Sequence, residues 1–140
     1  MLPRISIREV RVTLLVRLIR SSSRVRVRVF LVLLMECMTF FFAELALMHY
    51  SMVMYCPSMV AASAVYAAHC TLNKTPPWTK TLQYHTGFSE PQLRECAELM
   101  VGFHSSARDG KLTVIYRKYS KEELGGVALR FPATTCGKID

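Results

Sequence analysis

Apolar positions recur at helical spacing through most of this chain. From about Leu34, residues Met38, Phe41, Phe42, Leu45 and Met48 follow an i, i+3, i+4, i+7 pattern and predict a helix with one apolar face. A short connection over residues 49–56 leads to Pro57, which suits a first helical turn because its missing N–H has no partner there. No charged residue falls between Pro57 and Leu72, and Ala61, Ala62, Ala64, Ala67 and Ala68 are strong helix formers. A helix without a polar face is buried, so this stretch is expected to be the central post of an all-helical domain. Asn73 is a plausible stop, since Asn tolerates the left-handed conformation. Thr75-Pro76-Pro77 is expected to open the next helix, with Trp78, Leu82 and His85 on one face and Gly87 as its end. Ser89 and Gln92 form a capping-box pair ahead of a stripe of Leu93, Cys96, Ala97, Met100 and Phe103. Ser105 to Gly110 reads as a polar loop. Lys111 to Ser120 reads as a last short helix with Leu112, Ile115, Tyr116 and Tyr119 on one side. Gly125-Gly126 follows, and the tail is expected to be loose.

The first 34 residues break this pattern. Val, Leu and Ile alternate there with Arg, as in Arg24-Val-Arg-Val-Arg-Val-Phe30, which is strand period with no later strand run to pair with. Charge sharpens the division. The net charge of +8 is concentrated in residues 1–34, which hold eight arginines and the single acid Glu9; the rest of the chain is nearly balanced. The arm has three readings: a transit peptide, a basic segment for nucleic acid or an anionic membrane surface, or a poorly specified extension without a site. The last is preferred, because composition alone separates these classes poorly. An abrupt change near residue 35 also fits an arm that is not a natural part of the protein. Phe30 to Met48 is apolar enough to suggest a membrane span, but Glu36 and Glu44 inside it favour a soluble helix.

Candidate chemistry changes little. Cys37, Cys56, Cys70, Cys96 and Cys136 are odd in number and contain no Cys-x-x-Cys, which suits reduced thiols in the nucleus or cytoplasm. His49, His69, His85 and His104 have no ligand spacing. No nucleophile–base pair and no Gly-rich phosphate loop stands out. The expectation is a protein that is not an enzyme, with no catalytic residue, no cofactor and no metal.

Read as ordered blocks, the chain resembles the C-terminal cyclin fold of plant mitotic B-type cyclins. The blocks are Phe40-Phe-Phe-Ala-Glu-Leu-Ala-Leu-Met-His-Tyr50, Cys56-Pro-Ser-Met-Val-Ala-Ala-Ser-Ala-Val-Tyr-Ala-Ala-His-Cys70, Trp78-Thr-Lys-Thr-Leu-Gln-Tyr-His-Thr-Gly-Phe-Ser89, Leu112-Thr-Val-Ile-Tyr-Arg-Lys-Tyr-Ser120 and Gly126-Val-Ala-Leu129. Several blocks in one order are more specific than any one motif. The resemblance implies a five-helix fold with its third helix, here 57–72, surrounded by the others. Residues 35–49 would be the second helix, 76–86 the fourth and 89–107 the fifth. It divides the chain into an Arg-rich extension (1–34), a cyclin C-terminal domain (35–132) and a loose tail (133–140). Leu45, Pro57, Ala61, Ala64, Tyr66, Ala68, Trp78, Leu82, Leu93, Ala97, Met100 and Tyr116 are expected to form its structural core.

The family's N-terminal box, with its kinase-contacting Lys and Glu and its substrate-recruiting patch, has no counterpart in these 140 residues. Neither has the first helix of the C-terminal fold, so the cyclin fold is expected to be incomplete. Val10 to Ile19 could fill that place as a makeshift helix. The function implied is a cyclin-like regulatory subunit in cell-cycle control that binds a cyclin-dependent Ser/Thr kinase, with activation in question. Alternatives are a non-activating protein–protein interaction module or a non-functional fragment. An uncovered helical patch would also allow homo- or hetero-association. Nucleic acid and membrane are not expected partners.

Overall fold

The computed structural model describes residues 23–110, 113–134 and 136. The makeshift helix at Val10 to Ile19, most of the basic arm, and Lys111 and Leu112 lie outside the described residues. The chain divides into two units, residues 1–33 and 34–140. The described residues form α-helices and short 3-10 turns, and no strand occurs among them.

Helix α1 runs Ser23–Leu47. It starts well before the expected Leu34 and takes in the Arg/Val alternation. The physical reason is backbone satisfaction: a strand with no partner leaves its N–H and C=O groups unpaired, whereas a helix pairs them internally. From Leu34 onward α1 buries Leu34, Met38, Phe41, Phe42, Leu45 and Ala46. Met48, expected on this face, lies past the helix end and is exposed. The window 30–47 is long and apolar enough to cross a membrane by length and composition. Its buried residues are spent instead on the protein core.

A 3-10 turn at Tyr50–Met54 leads to α2, Pro57–Thr71. Its end is a Schellman motif: Asn73 sits at φ 54°, Asn73 N–H donates to Cys70 O at 3.2 Å, and Lys74 N–H donates to His69 O at 2.9 Å. Helix α3 spans only Lys80–Thr86. It begins later than Thr75-Pro76-Pro77 suggests, because each proline biases the residue before it away from helical dihedrals. The cap is Thr79, whose hydroxyl accepts from Leu82 N–H at 3.2 Å. Trp78 is therefore a loop residue, Leu82 is half-buried and His85 is exposed. Gly87 closes α3 at φ 75°, a conformation that suits glycine.

Helix α4 spans Glu90–Ala107. The Ser89/Gln92 capping box forms, with Ser89 N–H and Ser89 Oγ donating to Gln92 Oε1 at 2.8 and 3.1 Å. The helix extends past the expected loop start at Ser105. Ser105 Oγ donates to Val101 O and Ser106 Oγ to Gly102 O, so these hydroxyls bond back along the helix. Helix α5, Thr113–Tyr119, is followed by 3-10 turns at Glu122–Leu124 and Val127–Leu129.

The principal helix pair is α2 on α4. Ala62, Ala64, Ala67 and Ala68 are buried on α2, with Leu93, Cys96, Ala97 and Met100 buried on α4. Small side chains on α2 let the two backbones approach closely. Two of the expected core positions are corrected. Pro57 and Ala61 are exposed and so lie off the packed face of α2, which is carried by Ala62, Ala64, Ala67 and Ala68. An alanine-rich helix does not need a polar face to meet water, since a methyl group costs little to expose. Leu45, Ala64, Tyr66, Ala68, Trp78, Leu93, Ala97 and Met100 are buried, and Leu82 and Tyr116 are half-buried. Cys136, in the tail expected to be loose, is buried.

Candidate interaction surface and its supports

Two polar clusters lock the helices that carry the surface. In the first, Lys118 Nζ donates to both carboxylate oxygens of Glu44, at 2.8 and 3.0 Å. Tyr119 OH donates to Glu44 Oε1 at 2.7 Å. Glu44 was an awkward acid inside an apolar run in the sequence; here it joins α1 to α5. The Tyr119 ring packs on Phe41 with centroids 5.5 Å apart, so the polar tip and the apolar body of Tyr119 serve the same junction.

The second cluster surrounds Tyr66 and the Trp78 loop. Tyr66 OH donates to Glu90 Oε1 at 2.8 Å, and Glu90 also faces Arg94 at 3.7 Å. Burial and the Glu90 carboxylate push the Tyr66 phenol well above its ordinary value, so it remains a donor. Trp78 meets Tyr66 edge to face at 6.0 Å, and its Nε1–H donates to Phe88 O at 3.0 Å. His69 Nδ1–H donates to Pro77 O at 2.7 Å. Burial lowers the His69 pKa; the Pro77 carbonyl opposes this, and Lys74 adds to the lowering. These bonds hold the proline loop against α2 although the loop has no regular structure.

His104, on α4, is buried against Phe41 and Phe42, with ring centroids 5.0 and 5.7 Å apart. Its Nε2 lies 3.1 Å from Ala128 O, and a carbonyl can only accept, so Nε2 carries the proton. Nδ1 is buried with no hydrogen-bond partner. Burial lowers the His104 pKa and the Ala128 carbonyl opposes this.

Among the described residues, no group of three or more His, Cys, Asp or Glu side chains is placed to hold a metal ion. The four histidines serve separate local roles: His49 stacks on Phe103 at 3.7 Å, His85 packs on Tyr84, and His69 and His104 bond to carbonyls. What the surface offers is apolar contact. Leu47, Met48, Tyr50, Val53 and Met54 are all exposed around the turn between α1 and α2, with Tyr50 at 90%. Nothing in the sequence pattern singled out this run, because a stretch of apolar residues beside a helix reads as core until its exposure is seen.

Comparison with known proteins bears on the whole arrangement. The profile of the family described as Cyclin, C-terminal domain, matches residues 15–132. The match begins twenty residues before the point where the residue-level likeness starts, so part of the basic arm falls within it. The G2/mitotic-specific cyclin S13-7 of Glycine max is 59% identical over 99 residues, covering 71% of this chain and 38% of the relative. Cyclin-B1-1 of Oryza sativa subsp. japonica is 64% identical over 99 residues, covering 71% of this chain and 22% of that protein. The G2/mitotic-specific cyclin-1 of Antirrhinum majus is 61% identical over 98 residues, covering 70% of this chain and 21% of the relative. The chain thus spans between about a fifth and two fifths of the length of these relatives.

Proposed function

Because the chain belongs to the cyclin family, through a C-terminal cyclin domain like that of plant mitotic B-type cyclins, we propose that it acts in a regulatory, non-catalytic role by binding a cyclin-dependent Ser/Thr kinase, and that these 140 residues alone bind without activating it. The observation that carries this reading is the match of residues 15–132 to the family described as Cyclin, C-terminal domain. The expectation for these residues alone follows from where the family keeps its kinase contacts. The resemblance places the kinase-contacting Lys and Glu in the family's N-terminal box and not in the C-terminal domain matched here. The proposed compartments are nucleus and cytoplasm, in keeping with five cysteines that form no disulfide.

The test is to add the purified chain to a mitotic cyclin-dependent kinase and follow phosphorylation of a histone substrate, with a full-length mitotic cyclin alongside. The expected result is no increase in phosphorylation over kinase alone, and competition with the full-length cyclin at high concentration. Activation comparable to that by the full-length cyclin would overturn the non-activating reading.

The exposed run from Leu47 to Met54 favours a second reading, an interaction module that uses this apolar surface to associate with another protein chain. Concentration-dependent oligomers in sedimentation would support it, and a monomer at all concentrations would count against self-association.

A further inference from the structure

The apolar face of α1 does not stop where the core stops. Leu34, Met38, Phe41 and Leu45 are buried along one face of the helix. At about 100° per residue, Val27, Phe30 and Leu31 fall on that same face, up to about two turns nearer the N-terminus. Each of these three is more than half exposed. Arg24 and Arg28, both exposed, stand one turn apart along the edge of the stripe. Residues 1–34 hold eight arginines against the single acid Glu9. We infer that the first part of α1, residues 23–33, is a binding site for the surface of an anionic lipid bilayer. Val27, Phe30 and Leu31 sink among the acyl chains, and Arg24 and Arg28 hold the negative headgroups.

Helix formation is what creates this site. Read as a strand, the alternation from Arg24 to Phe30 puts arginines on one side and valines on the other. Wound into a helix, Val27 comes beside Phe30 and Leu31, with the two arginines next to them. Like charges at i and i+4 repel each other, and an anion held between them reverses the sign. A bilayer surface supplies both halves of what this face lacks: negative headgroups, and hydrocarbon within about 5–10 Å of them. A nucleic acid would meet the arginines but leave three apolar side chains in water. A second copy of the chain would cover the apolar residues but bring its own arginines to the seam. The helix lies along the lipid surface rather than crossing it, because from Leu34 onward its apolar face is committed to the core.

The test uses the full chain and vesicles of phosphatidylcholine with about 30 mol% phosphatidylserine. The chain should co-sediment with them at low salt and not with pure phosphatidylcholine, and its binding should weaken as salt rises to about 0.5 M. The double variant Arg24→Gln/Arg28→Gln should bind about 30-fold more weakly. Phe30→Trp puts a reporter in the stripe, read against the unsubstituted chain, whose one tryptophan, Trp78, is buried. On adding vesicles, the emission of the F30W chain should shift to shorter wavelength and be quenched by brominated acyl chains. All three substitutions fall at exposed positions, and an unchanged far-UV circular dichroism spectrum shows that each variant keeps the fold. Absence of binding to the phosphatidylserine vesicles would overturn the site. So would binding that the arginine substitutions leave unaltered, or binding with no change in F30W emission. Tighter binding to a single-stranded RNA of random sequence than to the vesicles would assign the face to nucleic acid and overturn the lipid reading.

Discussion

His104 shows how one side chain sets a condition on the whole fold. Its Nδ1 is buried with no hydrogen-bond partner on a ring packed against Phe41 and Phe42, so adding a proton there would bury an unpaired charge. The folded-state pKa is lowered below 6.5, as is that of His69. The unfolded chain therefore binds more protons than the native state as pH drops below about 6.5, and stability falls. Above that pH the contribution is complete. Thermal unfolding followed from pH 8 to pH 5 should show a level Tm down to about pH 6.5 and a decrease below it, and His104→Phe should flatten part of that decrease. An unchanged slope would remove His104 from the account. Tyr66 makes a different demand. Its hydroxyl is held by Glu90 while the ring is fully buried, so Tyr66→Phe should cost about 1–2 kcal/mol in a denaturant titration. Ser63 is the counter-case, a buried hydroxyl with no hydrogen-bond partner. Ser63→Ala should leave stability unchanged or raise it by about 1 kcal/mol, since it removes an unsatisfied group. None of these polar positions was legible in the sequence. His69, Tyr66 and His104 each depend on a partner at least eight residues away, and periodicity carries no information about such pairs.

At the level of elements, the residues that end and begin helices were the most readable. Asn73 and Gly87 adopt positive φ where the sequence expected helix stops, and Ser89 with Gln92 forms its capping box. These signals are local, so neighbouring residues settle them. Thr75-Pro76-Pro77 misled because a start signal was assigned to the first available hydroxyl, while two prolines delayed the helix until Thr79. The start of α1 misled for the opposite reason. Side-chain alternation suggested a strand, but an isolated strand cannot satisfy its backbone, and a helix formed over the same residues. Helix α4 carries a further test. Gly102 lies within it, and an added Cβ would meet nothing within 4 Å. Gly102→Ala should therefore stabilise the protein by about 0.5–1 kcal/mol, read as a shift in denaturant midpoint with no change in slope.

Taken as a whole molecule, the chain shows how a fold can be secure while its site remains a surface. The pairing of α2 with α4 was implicit in an alanine-rich helix beside a capped helix with a Leu93, Cys96, Ala97, Met100 stripe. Pro57 and Ala61 were assigned to the core because small apolar residues look alike in sequence whether or not a partner covers them. The exposed run from Leu47 to Met54 escaped notice for the same reason. Burial depends on which elements meet, and that is a property of the three-dimensional arrangement. Cys136 makes the point from the other side: among the described residues of a tail with no periodicity, Cys136 is buried in the core and Ala133 packs against it. The account's central claim is that this domain docks on a cyclin-dependent kinase while leaving it inactive. An equilibrium titration of the full chain against an immobilised mitotic cyclin-dependent kinase tests it most directly. Saturable binding with a Kd of about 1–100 μM, without a rise in kinase activity at saturation, is the predicted result. No saturable binding at these concentrations, or activation on binding, would contradict it.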